Sequence, residues 1–179
     1  RGELFFELTR IIEDKRPRIC FFENVKNLVG HDNGNTFRVI CEQLDLLGYK
    51  YTSQVLNAMH YGNVAQNRER IYIVAFREEE DYDKFHWPLS IPLNSSVRDI
   101  IDFASKVDDK YYYVKGKYKG DIYEQLVEAM KDDEKSNPAI YQWRRKYVRK
   151  NKSGVVPTLT ANQGEGGHNV CLIHTDDNR

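Results

Sequence analysis

The chain has 179 residues, of which 40% are apolar, so it is long enough for one ordinary domain with a packed core. Its 27 basic residues balance its 27 acidic residues, and the zero net charge gives no indication of a polyanionic partner. The sequence has no apolar run of about 18 residues, no visible signal peptide and only three cysteines without metal-ligand spacing, which argues against a membrane span, a disulfide scaffold and a metal site.

The first half of the chain alternates helical and strand patterns. A helix before Pro17 carries apolar residues at helical spacing, namely Leu4, Leu8, Ile11 and Ile12. Residues 19–22 form a short apolar run that is typical of a strand buried on both faces. A second amphipathic helix over residues 37–44 ends at Gly48, in the position that favours glycine. Residues 49–56 and 71–76 are predicted strands, so the alternation favours an α/β sheet with helices on its faces.

The second half has a different character, which begins near Asp81. Residues 97–103 favour a short helix, residues 122–130 carry one more helical stripe, and residues 154–167 are irregular and rich in glycine. This half therefore predicts a smaller and less regular part of the fold.

A basic stretch follows within this second half. Residues 141–152 hold six basic residues and no acid. The spacing of Arg144 and Arg145 to Arg149 is near i, i+4, so a helix would place the three on one side. Such a patch is the usual footprint of phosphate contact, although a solvated helix face would show the same pattern.

Two segments carry residues suited to chemistry. Glu23-Asn24-Val25 closes the apolar run, and Gln66-Asn67-Arg68-Glu69-Arg70 precedes the second buried strand. A carboxylate at the C-terminal end of a central strand lies where α/β folds bind ligands. Arg68 and Arg70 alternate at a strand entrance, so both are expected to point to one side and to grip oxygen acceptors. The alternatives are a loop carboxylate for Glu23 and a cross-strand ion pair with Glu69 or another acid for the arginines.

These two segments resemble the Glu-Asn-Val and Gln-x-Arg-x-Arg motifs of the cytosine-C5 DNA methyltransferases. The resemblance implies that Glu23 contacts N3 and the exocyclic amine of a flipped cytosine, with Asn24 beside it at the substrate site. It implies that Arg70 approaches O2 of that base and that Arg68 braces the catalytic loop. When a thiolate adds at C6, the ring gains electron density that an acid near N3 stabilises by sharing a proton. That role requires an acid whose pKa is raised by burial.

Three further segments resemble the same family. Residues 1–6 are similar to the segment after the catalytic loop, where Leu4 would line the adenosine pocket of S-adenosyl-L-methionine; a plain helix-core role for Leu4 is the alternative. Residues 57–62 resemble the family's Asn-Ala-x-x-Tyr-Gly turn. Residues 157–162 and 166–170 resemble the late motif that organises the recognition domain.

Two family features are missing from these residues. The Pro-Cys nucleophile motif and the Phe-x-Gly-x-Gly cofactor loop do not occur in the sequence. Cys20, Cys41 and Cys171 lack the flanking residues of the nucleophile, and a buried structural cysteine is the commoner case. We therefore expect the chain to be inactive alone and to need the N-terminal half of the same enzyme.

The resemblance implies a definite organisation. The fold would be α/β, with the second half of a doubly wound, Rossmann-like methyltransferase sheet and a smaller, largely irregular target-recognition domain. Residues 1–86 would belong to the catalytic domain, residues 87–152 to the recognition domain, and residues 153–179 to the late motif and the return. Arg144, Arg145 and Arg149 are expected to face double-stranded DNA.

The implied function is methylation of cytosine at C5 in DNA, in a bacterial cytoplasm and in a restriction–modification system. Two alternatives stay open. The chain could be a non-catalytic DNA-binding or split subunit, or it could belong to an enzyme that methylates cytosine in RNA. The recognition sequence and the oligomeric state do not follow from the residues.

Overall fold

The structure is a computed structural model, and it describes residues 3–117, 120–132, 139–144, 146–151, 154–161, 163 and 170–175. The α-helices are α1 (Glu3–Lys15), α2 (Asn35–Leu46), α3 (Ala58–Tyr61), α4 (Glu79–Lys84) and α5 (Ile122–Met130). The strands are β1 (Ile19–Val25), β2 (Lys50–Asn57), β3 (Gln66–Asn67), β4 (Glu69–Phe76), β5 (Ile140–Arg144), β6 (Tyr147–Asn151), β7 (Val156–Pro157) and β8 (Cys171–Ile173). No helix in these described ranges is long and apolar enough to cross a bilayer.

The chain divides into two compact units. One comprises Arg1–Asn57 and Glu69–Ser90, and the other comprises Ala58–Arg68 and Ile91–Arg179. The chain therefore enters the second unit twice, once briefly between β2 and β4. The domain limits expected from the sequence, at residues 86/87 and 152/153, remain predictions.

The first unit is a sheet of three strands in the order β1-β4-β2. β4 is antiparallel to both of its neighbours, so β1 and β2 run parallel to each other with α2 in their connection. α1 and α2 contribute Ile12, Ile40 and Leu44 to a core against one face of the sheet. That face carries alternate residues of the central strand, Ile71 and Ile73 among them. The α/β class predicted from the alternating patterns is confirmed.

α2 ends as the sequence predicted. Gly48 adopts φ +76°, a left-handed conformation in which a side chain would be strained. Its N–H donates to the carbonyl of Asp45 and the N–H of Tyr49 donates to the carbonyl of Leu44, both over 2.9 Å. These two bonds satisfy carbonyls of the last turn and turn the chain into β2.

Two burial predictions for this unit are wrong. α1 buries Thr9 and Ile12. The other side of the helix is apolar but exposed to solvent, and Leu4 on that side is 74% exposed. β1 is buried on one face alone, since Ile19 and Phe21 lie exposed on the other. The physical reason is that β1 is an edge strand. α1 and α2 cover its Cys20 face, whereas on the other face Tyr82 of α4 packs against Phe76 of the central strand β4.

The second unit contains a sheet of three antiparallel strands in the order β6-β5-β8. α5 packs against one face of this sheet through Ile122 and Leu126, together with the fully buried Tyr141. The opposite face begins at Ile140, which joins a core with Val155. The helical stripe predicted for residues 122–130 is confirmed as α5.

The helix that the arginine spacing allowed is not found. Two strands of this stretch, β5 and β6, form an antiparallel hairpin in which Gln142 lies opposite Arg149. The aromatic and β-branched residues of this stretch favour strands. Paired strands also bury alternate residues on two faces, whereas a helix would have exposed Tyr141 or Trp143.

Candidate functional site

Glu23 and Arg70 lie together on one face of the first unit. Glu23 is near the end of β1, and Arg70 is the second residue of β4, where it pairs with Val25 in the antiparallel register. Positions 70 and 72 share a face, and Tyr72 lies directly opposite Glu23. The Nε of Arg70 is 3.0 Å from Oε1 of Glu23, so the sheet itself brings the two residues into contact.

This ion pair realises one alternative left open by the sequence. Arg70 does form a cross-strand ion pair, but its partner is Glu23, whereas Glu69 pairs with Lys26 over 2.9 Å on the opposite face. The Arg70 side chain is only 15% exposed, and its Nη1 also donates to the carbonyl of Glu69 over 2.8 Å. The guanidinium is therefore held in place by two oxygens.

The burial expected for Glu23 is not found. Its side chain is 44% exposed, because it stands near the end of an edge strand. The carboxylate is thus held by a cation and remains partly exposed to solvent. An arrangement of this kind can accept a further hydrogen-bonding ligand without breaking the backbone that carries it.

Arg68 does not share a strand with Arg70, so the prediction that they alternate along one strand is wrong. Arg68 falls between β3 and β4, and it belongs to the second unit. Its carbonyl accepts a bond of 3.0 Å from the N–H of Ala58, at the start of α3. The reason is that the chain changes partners here: β3 pairs with β7, whereas β4 pairs with β1 and β2.

The segment before Arg68 is fixed by the late motif. β3 and β7 form a parallel ladder in which Gln66 lies opposite Val156 and Asn67 opposite Pro157. The hydroxyl of Thr158 donates to the carbonyl of Asn67 over 2.8 Å. Two segments that resemble family motifs therefore meet in one unit although about 90 residues separate them in the sequence. Residues 162 and 166–169 of the late motif lie outside the described residues.

The other two residues predicted to bind ligands lie in the first unit. Asn24 is exposed, and its Oδ1 accepts from the N–H of Val25 over 2.8 Å. Leu4 is on the exposed side of α1, and its two possible roles, in the adenosine pocket or in the helix core, both stay predictions. Its exposure leaves it able to contact a flat apolar ligand.

The three cysteine thiols lie in the positions that the sequence indicated. Cys20 is buried in β1, Cys41 lies on α2, and Cys171 starts β8. Burial raises the pKa of all three thiols above the ordinary value. A raised pKa lowers the fraction of reactive thiolate, so it does not favour any of the three as the nucleophile.

The hairpin brings Arg144 and Arg149 to one side of the second unit. The two share a face with Gln142, since positions 142 and 144 alternate and Arg149 lies opposite Gln142. The single side that was expected from a helix is therefore produced by strand pairing. Arg145 lies outside the described residues. Gln142 was missed by the sequence reasoning, although a polar residue between Tyr141 and Trp143 signals a strand with two different faces.

Comparison with known proteins supplies a family. A sequence model described as C-5 cytosine-specific DNA methylase matches residues 1–177. The type II methyltransferase M.Bsp6I of Bacillus sp. (strain RFL6) is 56% identical over 174 residues, which cover 97% of this chain and 53% of that protein. The type II methyltransferase M.HhaI of Haemophilus parahaemolyticus is 43% identical over 108 residues, which cover 60% of this chain and 33% of that protein. The chain thus spans about half the length of the first relative.

A solved methyltransferase structure shows only a weak likeness to this chain. The crystal structure of the S. pombe Dnmt2 methyltransferase overlays with a TM-score of 0.39 at 15% identity, covering 57% of this chain and 34% of that chain. At this TM-score the likeness does not establish a shared fold.

Proposed function

We propose that this chain, which belongs to the C-5 cytosine-specific DNA methylase family, forms part of an enzyme that methylates cytosine at C5 in double-stranded DNA. The observation that carries the proposal is the contact of 3.0 Å between Glu23 and Arg70, which joins the acid of one family motif to the second arginine of the other. A fortuitous sequence match would not require these two side chains to meet.

The proposed roles follow from the chemistry of each group. A cytosine flipped out of the duplex presents N3, the exocyclic amine and O2 on one edge. Glu23 would share a proton with N3 while it accepts from the amine, and the fixed donors of Arg70 would reach O2. Covering by the bound base would supply the burial that Glu23 lacks in this structure. Asn24 would support the same edge, and Arg68 would brace the catalytic loop.

The nucleophile of the reaction would come from residues other than the three cysteines of this chain. Thiolate addition at C6 makes C5 nucleophilic, and loss of the proton from C5 after methyl transfer restores the aromatic ring and releases the thiolate. S-adenosyl-L-methionine would supply the methyl group. Leu4 is the one residue of this chain that we assign to it, and an exposed leucine on α1 fits the apolar face of an adenine ring.

The edge of the sheet in the first unit fits a larger, doubly wound sheet in the intact enzyme. Among the described residues β1 pairs with β4 alone, so it is an edge strand of this sheet. Ile19 and Phe21 beside that edge are 50% and 64% exposed, and Leu8 on α1 is 43% exposed. An apolar edge strand is a liability that proteins usually cover. We propose that the N-terminal half of the enzyme extends the sheet beyond β1.

The second unit would hold the target-recognition domain, with Arg144, Arg145 and Arg149 facing DNA. The names of the relatives suggest a restriction–modification setting and, with it, a bacterial cytoplasm. The decisive experiment is methylation-sensitive sequencing of DNA and RNA from cells that express the intact protein. Methylated cytosine at one DNA sequence is expected. Methylation confined to RNA would contradict the DNA substrate, and none in either would contradict the activity.

A further inference from the structure

We propose that Arg144 and Arg149 form one phosphate clamp, in which both guanidiniums bind a single phosphodiester and Gln142 is the positioning residue. This inference rests on the proposed function, because it names the DNA group that this part of the recognition domain would hold. The starting observation is that two cations converge on one neutral oxygen. Nη1 of Arg144 and Nη2 of Arg149 both donate to Oε1 of Gln142, over 3.5 and 3.2 Å.

The position of Gln142 makes this convergence specific. Its side chain is only 3% exposed, and it lies between the apolar Ile140 and the half-buried Arg144 on the same face of the sheet. A buried amide oxygen that accepts from two arginines fixes where both guanidiniums can lie. The antiparallel register places Arg149 directly across from Gln142, so the three residues form a compact group without any loop.

The positive charges of Arg144 and Arg149 indicate that this group binds an anion. Residues 141–152 contain no acid, and no ion pair to Arg144 or Arg149 occurs within the ranges that the structure describes. Two like charges gathered on a neutral oxygen repel each other, and an anion between them offsets that repulsion. Each guanidinium has five donors in a fixed fork and uses one of them here on Gln142, so several donors per arginine can bind phosphate oxygens.

The salt dependence of DNA binding distinguishes one shared phosphate from two separate phosphates, because each neutralised phosphate releases counterions. The logarithm of the binding constant falls with the logarithm of salt concentration with a slope of about 0.9 for each phosphate neutralised. The double variant Arg144→Gln/Arg149→Gln of the intact enzyme should flatten the slope by about 0.9 if the phosphate is shared. Between 50 and 200 mM salt this corresponds to about 3.5-fold in relative affinity. A flattening of the slope by about 1.8, or about 12-fold in relative affinity, would show that the arginines bind two separate phosphates. An unchanged slope would show that they bind none. Either result overturns the clamp.

The positioning role of Gln142 needs its own variants. Gln142→Met removes the shared oxygen, and we expect weaker DNA binding in the wild-type background but no further loss in the double-arginine background. Equal loss in both backgrounds would mean that Gln142 acts on the fold alone and would overturn its role. Gln142→Glu keeps an oxygen between the two arginines and adds a negative charge that competes with phosphate for them. It should fold, yet show weaker binding and a flatter salt slope; a slope equal to wild type would count against the clamp.

Two controls accompany these measurements. Arg38→Gln removes one positive charge from α2, where Glu42 already pairs with Arg38, and it should leave the slope unchanged. Thermal unfolding of every variant separates a lost contact from a lost fold. Methyl transfer by the same preparation of wild-type enzyme tests the proposed function separately. If wild type methylates cytosine and the clamp variants bind like wild type, only the clamp fails.

Discussion

At the scale of single residues, the ion pair of Glu23 and Arg70 combines a structural contact with a proposed role in the reaction. A mostly buried guanidinium needs an acceptor, and the half-exposed carboxylate supplies one in the absence of DNA. A glutamine at position 23 keeps an oxygen that can accept from Nε of Arg70, and Arg70 also keeps its bond to the carbonyl of Glu69. A neutral substitution at Glu23 should therefore leave the fold intact and act mainly on the reaction.

Glu23→Gln in the intact enzyme should lower the rate of methyl transfer by about 10²–10⁴-fold, the usual range for a positioned acid. DNA affinity should change far less, because phosphate contacts dominate binding. Single-turnover methylation and DNA binding measured on the same preparation check both statements. Glu69→Gln is the matched control, since Glu69 pairs with Lys26 on the opposite face of the sheet. Unchanged turnover in folded Glu23→Gln would remove Glu23 from the mechanism.

The sequence indicated Glu23 and Arg70 as candidate residues but not the burial and strand pairing around them. The two motifs identified Glu23 and Arg70 because their residue types and spacing are specific. Burial of Glu23 and the shared strand for Arg68 were wrong, because both depend on which strands pair, and pairing involves residues far apart in the chain. A local pattern holds no information about a partner some 90 residues away.

At the scale of elements, the basic hairpin shows the limit of periodicity. The i, i+4 spacing of Arg145 and Arg149 fits a helix, but a hairpin can also bring residues several positions apart to one face. Composition was the better guide, since Ile140, Tyr141 and Trp143 are all strand formers. By contrast, α5 and the glycine that ends α2 were predicted correctly, because caps and amphipathic stripes are local properties.

The arginines of the hairpin give a prediction about sequence discrimination. Alanine variants of Arg144, Arg145 and Arg149 in the intact enzyme should weaken binding to cognate and scrambled duplexes alike, because a phosphate contact carries no base information. A base contact would instead cost about 1–3 kcal/mol on the cognate duplex alone. Binding of each variant to both duplexes at two salt concentrations distinguishes the cases. Three variants that bind both duplexes like wild type would show that the stretch is only a solvated surface.

The ion pair between Arg18 and Asp81 gives a prediction about pH. Nε and Nη2 of Arg18 donate to the two carboxylate oxygens of Asp81 over 2.6 and 2.7 Å, which ties the start of β1 to α4. The hydrogen bond from Arg18 holds the pKa of Asp81 below its ordinary value of 3.8. A lowered pKa in the folded state stabilises the fold at and above that ordinary value, and the contribution is lost as the pH falls through the folded pKa.

Asp81→Asn should therefore be less stable than wild type at neutral pH, and the difference should shrink as the pH falls below 3.8. Urea unfolding of the 179-residue chain across this range measures the free energy of unfolding directly. Asp14→Asn is the control, because Asp14 and its neighbour Lys15 form an ion pair that is exposed on both sides. A difference that grows toward acid pH would contradict the assignment of the lowered pKa to the bond with Arg18.

At the scale of the whole molecule, the two units carry different parts of the proposed enzyme. The first unit holds the acid and the arginine of the base site on an open-edged sheet, and the second unit holds the late motif and the basic hairpin. The sequence predicts two domains with different roles from its change of character near Asp81, and that assignment stays a prediction. It did not predict the return of residues 58–68 to the second unit, because that return depends on the pairing of β3 with β7.

The chain alone should transfer no methyl group from S-adenosyl-L-methionine to DNA. C5 methylation requires a thiolate beside C6 of the flipped base, and burial raises the pKa of Cys20, Cys41 and Cys171. None of the three follows a proline, and Cys20 points into the core of the first unit, away from the face that carries Glu23. Tritiated methyl transfer to DNA by the 179-residue chain should equal a blank without protein. A triple cysteine-to-serine variant is the control, and activity that this variant loses would show that one of the three thiols is the nucleophile after all.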